Sequence, residues 1–143
     1  MNQYDQQAAD FLAKYGITFS FKLANTKTPD WKNDSRPVNH FIATFRRGKK
    51  RMSFDFFDSI NNYEKGVKEL RAYDVLTCCS SEIHCPDTYE EFCSEFGYDA
   101  YNVNTGKRDK NNSKIFLECK KLSTKLQKFF DSEEIRDDLS EIQ

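Results

Sequence analysis

The 143 residues carry 38% hydrophobic and 31% charged side chains, and their 13 Phe and 7 Tyr exclude an intrinsically disordered chain. This length suits one domain with a core that needs no disulfide staples. The formal charge of −1 excludes a whole-surface imitation of DNA, and no apolar run approaches the ~18–20 residues of a membrane span.

In chain order, residues 3–15 are predicted helical: Ala8, Phe11, Leu12 and Tyr15 recur at helical spacing, and Gly16 supplies a stop. A strand is expected over 17–23, where Ile17, Phe19, Phe21 and Leu23 alternate with Thr18, Ser20 and Lys22. Residues 24–38 read as loop, with Pro29, Asp30, Asn33, Asp34, Ser35 and Pro37 as its breakers. That loop holds the only tryptophan, Trp31, read as a packed anchor or a partner contact.

The clearest signal is a β-hairpin over 40–57 turning at Gly48-Lys49, a Gly-X pair suited to a type II′ loop. Pairing about that turn sets Phe45 opposite Met52, Ala43 opposite Phe54 and Phe41 opposite Phe56, all on one face. The other face pairs Arg46 with Arg51, Thr44 with Ser53 and Ile42 with Asp55. A one-residue slip would turn the phenylalanines to solvent, so the register is well specified.

Residues 59–71 are ambiguous, because Gly66 weakens a helix. A short helix follows over 72–80 with Val75, Leu76, Cys78 and Cys79. Asp87 or Thr88 caps a second, whose buried stripe is Phe92, Cys93 and Phe96 and whose stop is Gly97. After a polar loop over 100–111, a long helix runs from about 112 to 130 with Ile115, Cys119, Leu122, Leu126 and Phe129 inward and Lys120, Lys121, Lys125 and Lys128 outward. Asp131-Ser132 breaks it, and a last helical stretch over 133–141 groups Ile135, Leu139 and Ile142. The pattern predicts a single α+β domain over 1–143, sheet-rich at 17–57 and helical at 72–142. In it an antiparallel sheet of three or more strands packs against N- and C-terminal helices.

Charge divides along the chain. Residues 1–71 hold 13 Lys/Arg and 8 Asp/Glu, whereas residues 72–143 hold 9 and 15. Between Ala72 and Asn104 there is no Lys or Arg, while Glu90, Glu91 and Glu95 fall there. The densest run is Arg46, Arg47, Lys49, Lys50 and Arg51 around the hairpin turn, suited to phosphate or to an acidic protein surface. The plain alternatives are a solvated turn that guards an edge strand, and halves that neutralise each other across the fold.

Chemistry on the chain itself finds little support. Only His40 and His84 offer an imidazole base, and there is no G-x-S-x-G, phosphate loop or H-E-x-x-H. Cys78, Cys79, His84, Cys85 and Cys93 invite a zinc reading, but no C-x-x-C pair occurs among them, and Cys93 and Cys119 lie on apolar helix stripes. The chain is therefore expected to be no enzyme and to hold no metal or cofactor. Residues 1–16 lack the basic start and apolar stretch of a signal peptide, so a cytoplasmic protein with five reduced cysteines is expected.

Ala72-Tyr73-Asp74-Val75-Leu76, Cys78, Pro86 and the run from Thr88 to Asp99 (TYEEFCSEFGYD) resemble a family of small phage and prophage proteins. The hairpin around Arg46-Arg47-Gly48 and Met52-Ser53-Phe54, and the start Ala9-Asp10-Phe11-Leu12, fit the same pattern, over roughly residues 7–130. The family's members are mostly hypothetical proteins with no assigned activity, so it brings no catalytic or ligand residues. What the resemblance implies is a setting: the cytoplasm of a bacterial host, where small phage accessory proteins often inhibit defence systems, anti-CRISPR proteins among them. By that analogy the partner is a host protein, a CRISPR effector or another nucleic-acid-handling defence complex. The expected contacts are Arg46, Arg47, Lys49, Lys50, Arg51, Glu90, Glu91 and Glu95, with Trp31 as anchor. The alternative is a nucleic-acid-binding phage module for replication or regulation.

Overall fold

Helix α1 (Gln3–Tyr15) starts where the Asn2 side chain accepts from the Asp5 N–H at 2.8 Å, and it stops at Gly16, whose φ of +63° is costly for a residue with a Cβ. The chain then enters a three-stranded antiparallel meander of β1 (Thr18–Lys27), β2 (Pro37–Arg47) and β3 (Lys50–Phe56), in that spatial order. Helices α2 (Ala72–Glu82), α3 (Tyr89–Phe96), α4 (Lys110–Phe129) and α5 (Glu133–Ser140) complete the α+β architecture. The computed structural model describes residues 2–27, 37–56 and 71–142.

The hairpin register is the predicted one, with Phe45 across from Met52 and Arg46 across from Arg51. Gly48, at φ +60°, takes the first central position of the turn, where φ above zero is needed. The first two strands are longer than their apolar alternation indicated. β1 runs on through Asn25, Thr26 and Lys27, and β2 begins at Pro37, which pairs with Lys27. The cause is tertiary: once Phe19 and Phe21 are registered against Phe45 and Ala43, the ladder extends through residues of poor strand propensity. Pro37 is tolerated as a first strand residue. The expected loop over 24–38 is thus shortened from both ends; Trp31 and residues 59–70 lie outside the described residues.

Side chains cap the later helices. Thr88 accepts from the Glu91 N–H, Asp109 from Asn112 and Ser132 from Ile135, at 3.2, 2.9 and 3.2 Å. The long helix accordingly begins two residues earlier than its apolar stripe indicated, at Lys110, because Asp109 supplies the cap. The preceding polar segment is turned back on itself by an antiparallel bridge between Tyr101 and Arg108.

The main core lies between the inner face of the sheet and the helices. Phe45 is fully buried there, with ring centroids 5.1 Å from Phe19, 5.9 Å from Phe129 and 6.0 Å from Phe130. Around it close Ala8 and Phe11 of α1, Val75, Leu76 and Cys79 of α2, Leu126 of α4, and Ile135 and Leu139 of α5. A smaller second core joins Tyr89, Phe92 and Cys93 of α3 to Ile115, Phe116 and Cys119 of α4. Between them, buried Ser123 donates to the Ile83 carbonyl at 2.6 Å and satisfies the end of α2.

Candidate functional site

Strand alternation places Arg47 and Lys50 on the helix side of the hairpin tip. The Arg47 Nε donates to the Tyr15 carbonyl at 3.1 Å and its Nη1 to Asp131 Oδ1 at 3.3 Å. The Lys50 ammonium bonds the other oxygen of Asp131 and donates to the Lys128 carbonyl at 3.3 Å, where the negative end of the α4 dipole favours a cation. The Lys50 bond holds the Asp131 carboxyl below its ordinary range. Two of the five predicted tip cations therefore have partners within the protein, Lys50 from an exposed position.

The other three are exposed. Arg46 and Arg51 stand opposite each other on the outer face, Lys49 occupies the turn, and none has an acidic partner among the described residues. Behind the arginine pair the strand registers build a grid of outward positions. Its first row is Thr18, Arg46 and Arg51; its second is Ser20, Thr44 and Ser53; its third is Lys22, Ile42 and Asp55. The Thr44 and Ser53 hydroxyls share a hydrogen bond of 2.8 Å. A shallow groove of about 370 Å³ crosses this face, bordered by the polar Ser20, Lys22, Thr44, Arg51 and Ser53 and by the apolar Phe21 and Ile42. Ser20 and Lys22 were absent from the expected site residues. Their alternation with Phe19 and Phe21 carried the signal, but only the pairing with β2 shows which cations they join.

The predicted acidic contacts separate in the same way. Glu90 accepts from the Tyr101 hydroxyl and lies 3.6 Å from the Arg108 guanidinium, which itself sits 4.6 Å above the Tyr89 ring. The Tyr101 bond holds the Glu90 carboxyl below its ordinary range. Glu90 thus fastens the 101–108 turn to α3, whereas Glu91 and Glu95 face solvent with no cation partner among the described residues.

Phe96, expected on the buried stripe, is instead 52% exposed. The helical spacing is right, but the seam with α4 is filled by Phe92 and Cys93 one turn earlier. At the helix end the Tyr98 N–H returns to the Cys93 carbonyl at 2.8 Å around Gly97, a Schellman turn that brings Tyr98 back against Phe92. Phe96 and Tyr98 then lie almost parallel, 22° apart with centroids at 6.5 Å, as an exposed aromatic pair beside Glu95 and Asp99.

The cysteines are dispersed. Cys79 lies in the main core and Cys93 in the second, and no group of three or more His, Cys, Asp and Glu side chains is gathered for a metal ion among the described residues. Burial raises the Cys79 thiol well above its ordinary value, and burial with the neighbouring Cys85 pushes Cys119 up to about 12, which suppresses thiolate chemistry at both. His84 is exposed between α2 and α3. Among the described residues, no helix is long and apolar enough to cross a membrane. No protein-family model matches the chain, and no curated protein or solved structure matches it either.

Proposed function

We propose that this protein works by stoichiometric binding. It docks a preformed surface onto a nucleic-acid-handling defence complex of a bacterial host, such as a CRISPR effector, as an accessory protein of phage or prophage origin. The carrying observation is the stacked, exposed pair Phe96 and Tyr98 beside Glu91 and Glu95, which have no cation partner among the described residues. Aromatic side chains on a rigid turn are common binding anchors, and an anionic rim favours a basic partner surface of the kind that lines a nucleic-acid channel. The phage setting rests on the sequence resemblance alone.

The test is capture from host lysate with the wild-type chain and with a Phe96→Ala/Tyr98→Ala variant. A nucleic-acid-handling complex retained in fixed stoichiometry by the first and lost from the second is the expected result. Retention of no specific protein by the wild type overturns the reading. The second reading, a module that contacts nucleic acid directly, is favoured by a different observation: the cation-bearing outer face of the sheet.

A further inference from the structure

We infer that the outer face of the β1-β2-β3 sheet is a binding surface for the phosphodiester backbone of duplex nucleic acid, with Arg46, Arg51, Lys49 and Lys22 as its cations and Ser20, Thr44 and Ser53 as its hydroxyl donors. This develops the second reading and is independent of the aromatic pair at the end of α3.

Three observations carry it. The first is that Arg46 and Arg51 are cross-strand neighbours on an exposed face. Like charges directly opposite destabilise a sheet, so the pair costs the free protein something that a polyanion would offset. Of the two cation pairs beside the turn, Arg47 and Lys50 share the Asp131 carboxylate, while the outer pair has no acid among the described residues.

The second observation is the row beneath the arginines. Ser20, Thr44 and Ser53 lie side by side across three strands and border the groove, Ser20 exposed and the other two half-buried. Arg, Lys, Ser and Thr are the side chains that meet phosphate and sugar oxygens in duplex complexes. Lys22 stands one row further, four residues from the Thr18 row, or ~13 Å along the strand. A duplex carries about eight backbone charges over that length, so several phosphates meet the face at once.

The third observation concerns stacking groups. The outward positions of these rows hold Thr, Ser, Lys, Ile, Arg and Asp, and one ring borders the groove, that of Phe21 from the inward set of β1. Single-stranded recognition depends on successive bases stacking on several aromatic rings, and the described residues of this face offer no such series. The ligand it fits is therefore a duplex held by its backbone, without sequence preference.

Fluorescence anisotropy on the full chain with a labelled random-sequence 25-base-pair duplex tests this. Binding should weaken with salt along a log–log slope of about −3 to −4, as for three to four phosphate contacts. The Arg46→Thr/Arg51→Thr variant should lose about tenfold or more in affinity and about two units of that slope. A charge-matched control, Lys114→Thr/Lys125→Thr on α4, should lose far less. Far-UV circular dichroism establishes that each variant is folded. Equal losses from both variants, tighter binding to a single strand of the same length, equal binding to an acidic polypeptide, or no duplex binding at 50 mM salt would each overturn the assignment. None of these outcomes bears on capture through Phe96 and Tyr98, so the two surfaces fail or stand separately.

Discussion

The Lys50 ammonium bonds the Asp131 carboxylate and so ties the turn of the hairpin to the link between α4 and α5. Arg47 reaches the same carboxylate from the facing strand. Replacing Asp131 with Asn should therefore loosen the hairpin tip and leave the core intact. Amide exchange at Gly48, Lys49 and Lys50 should quicken while that of Phe45 and Leu126 stays slow. Acid should act alike. The folded Asp131 carboxyl titrates below its unfolded value of 3.8, so the tie is complete above that value and is lost as pH falls through the lower, folded one.

The arginine pair makes a second expectation, opposite in sign to ordinary mutational damage. Removing two like charges that face each other should stabilise the sheet by about 0.5 kcal/mol, provided residues of good strand propensity replace them. In urea, the Arg46→Thr/Arg51→Thr variant should unfold at a higher midpoint than the wild type. A lower midpoint would indicate that the pair is held by favourable contacts of its own.

Two phenylalanines should separate by burial. Phe45→Ala empties the meeting point of sheet and helices and should cost about 3–5 kcal/mol, whereas Phe96→Ala, at a half-exposed helix end, should stay within about 1 kcal/mol. Denaturation curves of the two variants give the comparison directly.

Much of this was legible in the residues. The hairpin register followed from the Gly48-Lys49 turn together with the alternation of Phe41, Ala43 and Phe45 against Met52, Phe54 and Phe56, because a one-residue slip would part the two sets onto opposite faces. The roles of the charged residues were not legible, since they depend on partners far away in sequence. Arg47 and Arg46 are neighbours in the chain, yet one meets Tyr15 and Asp131 while the other meets solvent. Phe96 was misplaced for a related reason: periodicity gives the face of a helix, but not how far along it the neighbouring helix continues to cover that face.

The buried Cys79 thiol and the half-buried Cys119 thiol predict an alkaline weakness. Cys119, with an ordinary value of 9.0, is pushed up to about 12, and Cys79 is raised by complete burial. Above pH 9 the unfolded chain sheds these protons while the folded chain keeps them, so the unfolded state binds fewer and stability falls as pH rises. Urea midpoints measured at pH 8, 9 and 10 should decline, and a Cys79→Ala/Cys119→Ala variant should decline less between pH 9 and 10. At pH 8 both thiols should resist alkylation until the protein is unfolded.

The two ends of the fold also meet. Lys14 of α1 bonds Asp138 of α5 at 2.6 Å, and the Gln7 amide donates to the Glu141 carbonyl at 2.9 Å. During synthesis, at ~5–20 residues per second, α1 leaves the ribosome roughly ten seconds ahead of α5. The meander can assemble while translation proceeds, but Phe11 lacks its partner Phe130, 6.1 Å away between ring centroids, until the end of α4 has emerged. Ribosome stalling before that point would leave a nascent chain whose first helix still offers its apolar stripe to chaperones.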